Sequence, residues 1–167
     1  PKVGRGEPIP MVDLYLGLAA QLGADVTDRA YELQTTVAEE AAAAAWCERN
    51  RIDPARPLIG LNPGAKFGSS KLWDPLRFAA VGDALARRKN AQIVLLGAPG
   101  EEPLLGAIAL AMREPVIDSS RDLVALGPLK ARIRRLALLV TTDTGPRAMA
   151  QALGGPTVVV MGSTHPG

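Results

Sequence analysis

The chain has 167 residues and a formal net charge of +2, which allows one domain with a full core and gives no case for a nucleic-acid partner. Hydrophobic residues make up 47% and aromatic residues 4%, which excludes a disordered chain and requires a largely aliphatic core. One cysteine, Cys47, excludes an internal disulfide, and no Cys/His cluster suggests a metal.

Pro1 to Pro10 is polar and Pro/Gly-rich, with no apolar segment behind it that would make a signal peptide. Met11 to Leu22 carries apolar residues at helical spacing, with Gly23 as the stop. Thr36-Val37-Ala38-Glu39 has the form of a capping box, and strong helix formers continue to about Arg49. Cys47, inside this alanine-rich stretch, reads as a small buried apolar residue. Asp53-Pro54-Ala55-Arg56-Pro57 cannot continue a helix. A division is expected here, between a helical lead-in (1–56) and a regular unit (57–167).

The regular unit alternates strands and helices. Strands are expected at Leu58–Leu61, Gln92–Leu96, Pro115–Asp118, Leu136–Val140 and Thr157–Met161. Helices are expected at about Asp74–Arg88, Glu101–Met112, Leu126–Arg135 and Pro146–Leu153. In the third of these, Lys130, Arg132, Arg134 and Arg135 read as a solvated face. Apolar strands alternating with helices predict an α/β fold, a Rossmann-like doubly wound parallel sheet covered on both faces. No apolar stretch approaches the roughly 20 residues of a membrane span. The single histidine, His165, stands beside the last residues, so a Ser-His-Asp arrangement is not expected. Both ends read as cut, and a piece of a longer protein is expected.

Ligands of such sheets sit beyond the carboxyl ends of the strands, which directs attention to the strand–helix junctions. The first reads NPGAKFGSSKLWD. Gly64 and Gly68 let backbone approach a ligand, Ser69 and Ser70 add hydroxyls, and Lys66 and Lys71 add charge. That chemistry suits phosphate, although neither a Walker A loop nor G-x-G-x-x-G is present, and a solvated loop explains it equally well. At the second junction, LLGAPGEEP, Glu101 can hold a ribose diol or favour a helix N-terminus through the dipole. At the last, TTDTGPRAMA, Thr144 or Gly145 serves as N-cap with Pro146 opening the helix. Asp143 precedes the cap, and helix initiation leaves it unexplained.

Taken in series, LNPGAKFGSSKLWDPLRFAAV (61–81), VLLGAPGEE (94–102) and LLVTTDTGPRAMAQALGGPTVVVMGSTHPG (138–167) resemble the donor-binding half of the heptosyltransferase-type glycosyltransferases. These are the ADP-heptose–lipopolysaccharide heptosyltransferases of glycosyltransferase family 9. PMVDLYLGLAAQLGA (10–24) is similar to the stretch linking that family's two halves. The resemblance implies the C-terminal half of a GT-B glycosyltransferase, with a nucleotide-sugar donor of the ADP-heptose type and a glycolipid acceptor engaged by the other half. It implies that Lys71 contacts the diphosphate, with Gly64, Ser69 and Ser70 in the same loop. It places Glu101 at the ribose, Val124 at the adenine, and Asp143, Thr144 and Gly145 at the sugar and phosphate. Where the family has His after D-[ST]-G and two further residues, this chain has Ala148. Arg147 either replaces the lost donor or faces solvent.

The resemblance implies a cytoplasmic protein at the inner face of a membrane, with no metal or cofactor and with the catalytic base in the other half. Two other functions stay open at this stage: a non-catalytic nucleotide-binding module on the same fold, and another enzyme, such as an oxidoreductase, on a doubly wound sheet. The missing G-x-G-x-x-G counts against the last.

Overall fold

A computed structural model describes residues 9–65, 72–122 and 125–161. Among these residues five parallel strands form one sheet in the order β3-β2-β1-β4-β5: β1 (Leu58–Asn62), β2 (Gln92–Leu95), β3 (Val116–Asp118), β4 (Leu138–Thr142) and β5 (Thr157–Val160). Among the described residues six helices accompany them: α1 (Met11–Gln21), α2 (Val37–Arg49), α3 (Pro75–Lys89), α4 (Glu102–Ala111), α5 (Leu126–Arg134) and α6 (Gly145–Ala152). This is the doubly wound α/β arrangement that the alternation predicts.

Side chains alternate across each strand, so the sheet builds two cores. Ile59, Leu61, Ile93, Leu95 and Val140 pack with Phe78 of α3 and with Leu105 and Ile108 of α4. On the other face Leu58, Val94 and Leu139 pack with Trp46 of α2, Ile133 of α5 and Ala150 of α6. Burying one side chain of this size stabilises the fold by about 1.5–3 kcal/mol. Trp46 is 1% exposed, so α2 shares the core of the sheet.

The local signals have visible causes. Thr36 Oγ1 accepts from the Glu39 amide at 3.3 Å, and Glu39 Oε2 accepts from the Thr36 amide at 2.7 Å, closing the capping box of α2. Asp74 caps α3 by accepting from the Leu76 amide at 2.9 Å, with Pro75 in the first helical position. Asn90, at φ +50°, ends that helix in the left-handed region.

Two expectations need correction. β4 is displaced by two residues from the predicted Leu136–Val140, and it carries Thr141 and Thr142 inside the sheet, both 0% exposed. The register Asn62↔Thr141 against β1 extends the ladder, and partners for both hydroxyls make the burial tolerable. The basic residues about α5 are a solvated face only in part: Arg134 and Arg135 are exposed, but Arg132 is not. Arg132 is 4% exposed, its guanidinium carbon 4.6 Å from the Trp46 ring centre, and its Nη2 pairs with Asp122 Oδ2 at 2.9 Å. Lys130 pairs with Glu39 at 3.1 Å, and Arg134 and Arg135 pair with Glu40 at 3.5 and 3.1 Å. These cations fasten α5 to α2. Among the described residues no helix is long and apolar enough to cross a membrane.

Candidate functional site

The chain runs outward from β1 through β2 to β3 and then crosses to β4, so the winding direction changes between β1 and β4. The adjacent loops diverge at that point and leave a crevice at the carboxyl ends of the two strands. A cleft of about 460 Å³ opens there, bordered by Asn62 and Gly64 after β1, by Gly97 to Pro99 and Glu101 after β2, by Leu126 and Leu129 of α5, and by Thr144 to Pro146. A larger crevice of about 600 Å³ lies at the opposite edge, around the amino ends of β1 and β4. The winding rule for open sheets favours the carboxyl-end cleft as the ligand site.

The strand ends are tied by side chains. Asn62, 3% exposed, donates from Nδ2 to Thr141 Oγ1 and to Thr144 Oγ1, each at 2.9 Å. The Thr142 hydroxyl donates to the Gly64 carbonyl. Thr141 donates its own hydroxyl proton to the Thr142 carbonyl at 2.9 Å. Each such bond contributes on the order of 1 kcal/mol, and each would cost more than that if one partner were removed and the other left buried.

Gly64 lies under the Glu101 carboxylate. A Cβ added to Gly64 would stand 2.0 Å from Glu101 Oε1, so glycine leaves the room in which that carboxylate sits. Glu101 occupies the cap position of α4, and its Oε2 accepts from the Ala98 amide at 2.8 Å. Its carboxylate is thus held over the β1 loop at the rim of the cleft.

Thr144 is the N-cap of α6, with Gly145 first in the helix and Pro146 second. Its side chain makes no capping bond and turns to Asn62 instead. Asp143 and Arg147 form an ion pair at 2.7 Å across one helical turn, and neither borders the cleft. Arg147 Nε is buried and has no hydrogen-bond partner among the described residues. Arg147 therefore turns back onto Asp143 and does not simply face solvent, and the ion pair gives Asp143 the structural role that helix initiation does not. Ala148 is exposed.

Of the predicted site residues, Gly64, Glu101, Thr144 and Gly145 come together around the cleft, and Asp143 and Arg147 lie beside it. Ser69, Ser70, Lys71 and Val124 lie outside the described residues. Asn62 is the polar residue that sequence reasoning did not single out. Its signal is a lone amide closing the apolar run Leu58–Leu61. Among the described residues no group of three or more His, Cys, Asp or Glu side chains is placed to hold a metal ion.

An open parallel sheet with a polar-edged cleft at its winding reversal defines a doubly wound α/β protein. Comparison with known proteins narrows the class. The sequence profile of glycosyltransferase family 9 (heptosyltransferase) matches residues 5–167, and the chain belongs to that family. It is 26% identical over 167 residues to lipooligosaccharide heptosyltransferase 2 of Haemophilus influenzae, covering 98% of this chain and 43% of the relative. The glycosyl transferase family 9 structure from Veillonella parvula superimposes with a TM-score of 0.83 at 27% identity, covering 92% of this chain and 44% of that one. The structure of Escherichia coli ADP-heptose lps heptosyltransferase II gives a TM-score of 0.66 at 26% identity, covering 77% of this chain and 38% of that one. The chain thus spans less than half the length of these relatives, and its fold is that of the C-terminal half of the GT-B enzymes of the family.

Proposed function

We propose that this chain is the donor-binding part of a glycosyltransferase that takes a nucleoside-diphosphate sugar of the ADP-heptose type. Its transfer partner would be a lipopolysaccharide core or a related glycan. The observation that carries this reading is the cleft where Gly64, Glu101, Thr144 and Gly145 converge at the winding reversal, in a chain of this family. A relative of the same fold is named for ADP-heptose, which supports the choice of donor.

In this reading Glu101 holds the ribose diol, and Val124 lies near the adenine. Lys71, the Gly64–Ser70 loop and the N-terminus of α6 receive the diphosphate, while Asp143 and Arg147 meet the sugar end. Breaking the glycosidic bond leaves negative charge on the nucleoside diphosphate, and preorganised cations and amides stabilise that charge. The acceptor and the base that deprotonates it belong to the part of the full-length relatives that this chain does not span. Residues 57–167 form the donor unit and residues 1–56 the lead-in, whose helix α2 docks on the sheet. The whole protein works at the cytoplasmic face of the inner membrane, held there peripherally.

Calorimetry with ADP and an ADP-sugar, on wild type and Lys71→Ala, tests the reading. Wild type is expected to bind ADP, and Lys71→Ala to bind it roughly tenfold more weakly, the loss of one charge-assisted contact. Wild type that binds neither ligand overturns the reading, and equal affinity in the two proteins removes Lys71 from the site.

A further inference from the structure

The cleft contains a hydroxyl whose hydrogen-bonding direction is biased by its neighbours. Asn62 Nδ2 has two hydrogens and no lone pair to offer. One goes to Thr141 Oγ1 and the other to Thr144 Oγ1, each at 2.9 Å. Thr141 spends its own proton on the Thr142 carbonyl. Thr144 is therefore left with one of its two lone pairs engaged by an N–H and with a proton still to place.

Among the described residues its nearby outlets are poor or closed. Thr141 Oγ1 stands 3.5 Å away, at the limit of a useful bond. Capping does not draw the hydroxyl away either. The second residue of α6 is Pro146, which has no N–H, and the Arg147 amide already donates to the Thr144 carbonyl at 3.1 Å. Among the described residues the direction left is the cleft, which Thr144 borders.

We propose that Asn62 is a positioning residue: by donating to the Thr144 hydroxyl it polarises Thr144 as a donor toward an acceptor-only oxygen of the ligand, such as a phosphate oxygen of a nucleoside diphosphate. The inference rests on the donor-site reading above and adds to it a residue that touches the ligand only through another. A threonine free to rotate would accept from a ligand hydroxyl as readily as donate to a phosphate. The amide of Asn62 takes one of the two lone pairs and turns the proton away from itself, so the pair favours an acceptor such as phosphate over a donor.

The test compares ADP with adenosine by calorimetry on wild type, Asn62→Ala, Thr144→Val, Thr144→Ser and the Asn62→Ala/Thr144→Val double variant, with thermal unfolding of each as the fold control. Asn62→Ala and Thr144→Val are each expected to weaken ADP roughly tenfold and adenosine less than about threefold. Thr144→Ser keeps the donor and should hold near-wild-type affinity. The double variant should be no weaker than Thr144→Val alone, because both changes remove the same donor. Losses that multiply, or ADP and adenosine weakening together, overturn the proposal and leave the donor-site reading standing. Wild type that fails to bind ADP overturns both. Should Asn62→Ala fail to fold, Asn62→Asp keeps the shape and replaces the donor with an acceptor. Its ADP loss must then shrink when Thr144 is Val, whereas an undiminished loss is simple charge repulsion and sinks the idea.

Discussion

Arg147 Nη1 stands 2.7 Å from Asp143 Oδ1, one helical turn away, with both side chains 25% exposed. The pair closes the first turn of α6 from outside and holds the carboxylate beside the cleft. Asp143→Asn keeps the shape and removes the charge. At this exposure the expected stability loss is below about 1 kcal/mol, a shift of a few degrees in melting temperature. The ligand effect should be selective: affinity for an ADP-sugar falls more than affinity for ADP, because the carboxylate faces sugar hydroxyls in the proposed complex. Parallel titrations of the two ligands decide it, and an equal loss for both would assign Asp143 to structure alone.

Gly64→Ala should mimic the loss of Glu101. The new Cβ claims the space of Glu101 Oε1, 2.0 Å away, and the carboxylate is the flexible end of a side chain near the surface. The substitution therefore costs little stability but swings the ribose-binding group aside. Gly64→Ala and Glu101→Ala should each weaken ADP about tenfold, and the double variant no further. Independent, multiplying effects would show that Gly64 serves the ligand through its own backbone.

Arg132 and Asp122 make an asymmetric pair, 4% and 45% exposed on their side chains. Arg132 also donates from Nη1 to the Asp122 carbonyl at 2.9 Å, and burial pulls its guanidinium below its ordinary pKa. Removing either partner leaves the other, but in different surroundings. Water can solvate an abandoned Asp122, while an abandoned Arg132 stays buried over Trp46. Asp122→Ala should therefore destabilise more than Arg132→Met, by about 1 kcal/mol or more in urea unfolding, because a buried unpaired charge is the costlier remnant. The reverse order would mean that the stack on Trp46 dominates the network.

The sheet was legible because alternating apolar runs and helix caps are local signals. Thr36 with Glu39, and Asp74 before Pro75, announce their helices within four residues. The end of β4 was not legible, since Thr141 and Thr142 look like loop until Asn62 and the Gly64 carbonyl are known to satisfy them. The same holds for Arg132. A run of four cations reads as solvated until Asp122 and Trp46, remote in sequence, close over one of them. In the cleft, glycines and acids were visible at the junctions, but Asn62 was not, because its importance lies in which two hydroxyls it reaches. Polar partners distant in sequence were what the local pattern could not supply.

Cys47 is half-buried between α2 and the sheet, and burial pushes its thiol up from its ordinary pKa, with Arg135 and Arg132 pulling it down less. A raised folded pKa means that the fold favours the neutral thiol. That contribution is complete below the unfolded value of about 8.5 and is lost as pH climbs through it toward the folded value. The stability difference between wild type and Cys47→Ala should therefore be constant from pH 6 to about 8 and shrink above about 9, as the thiol's preference for the folded state fades. Urea unfolding of both proteins across that range measures it. Alkylation gives a second reading: at pH 7.5 the native thiol should react with iodoacetamide several-fold more slowly than the unfolded chain. A difference that stays flat to pH 10, with native alkylation as fast as unfolded, would place Cys47 in an environment as polar as water.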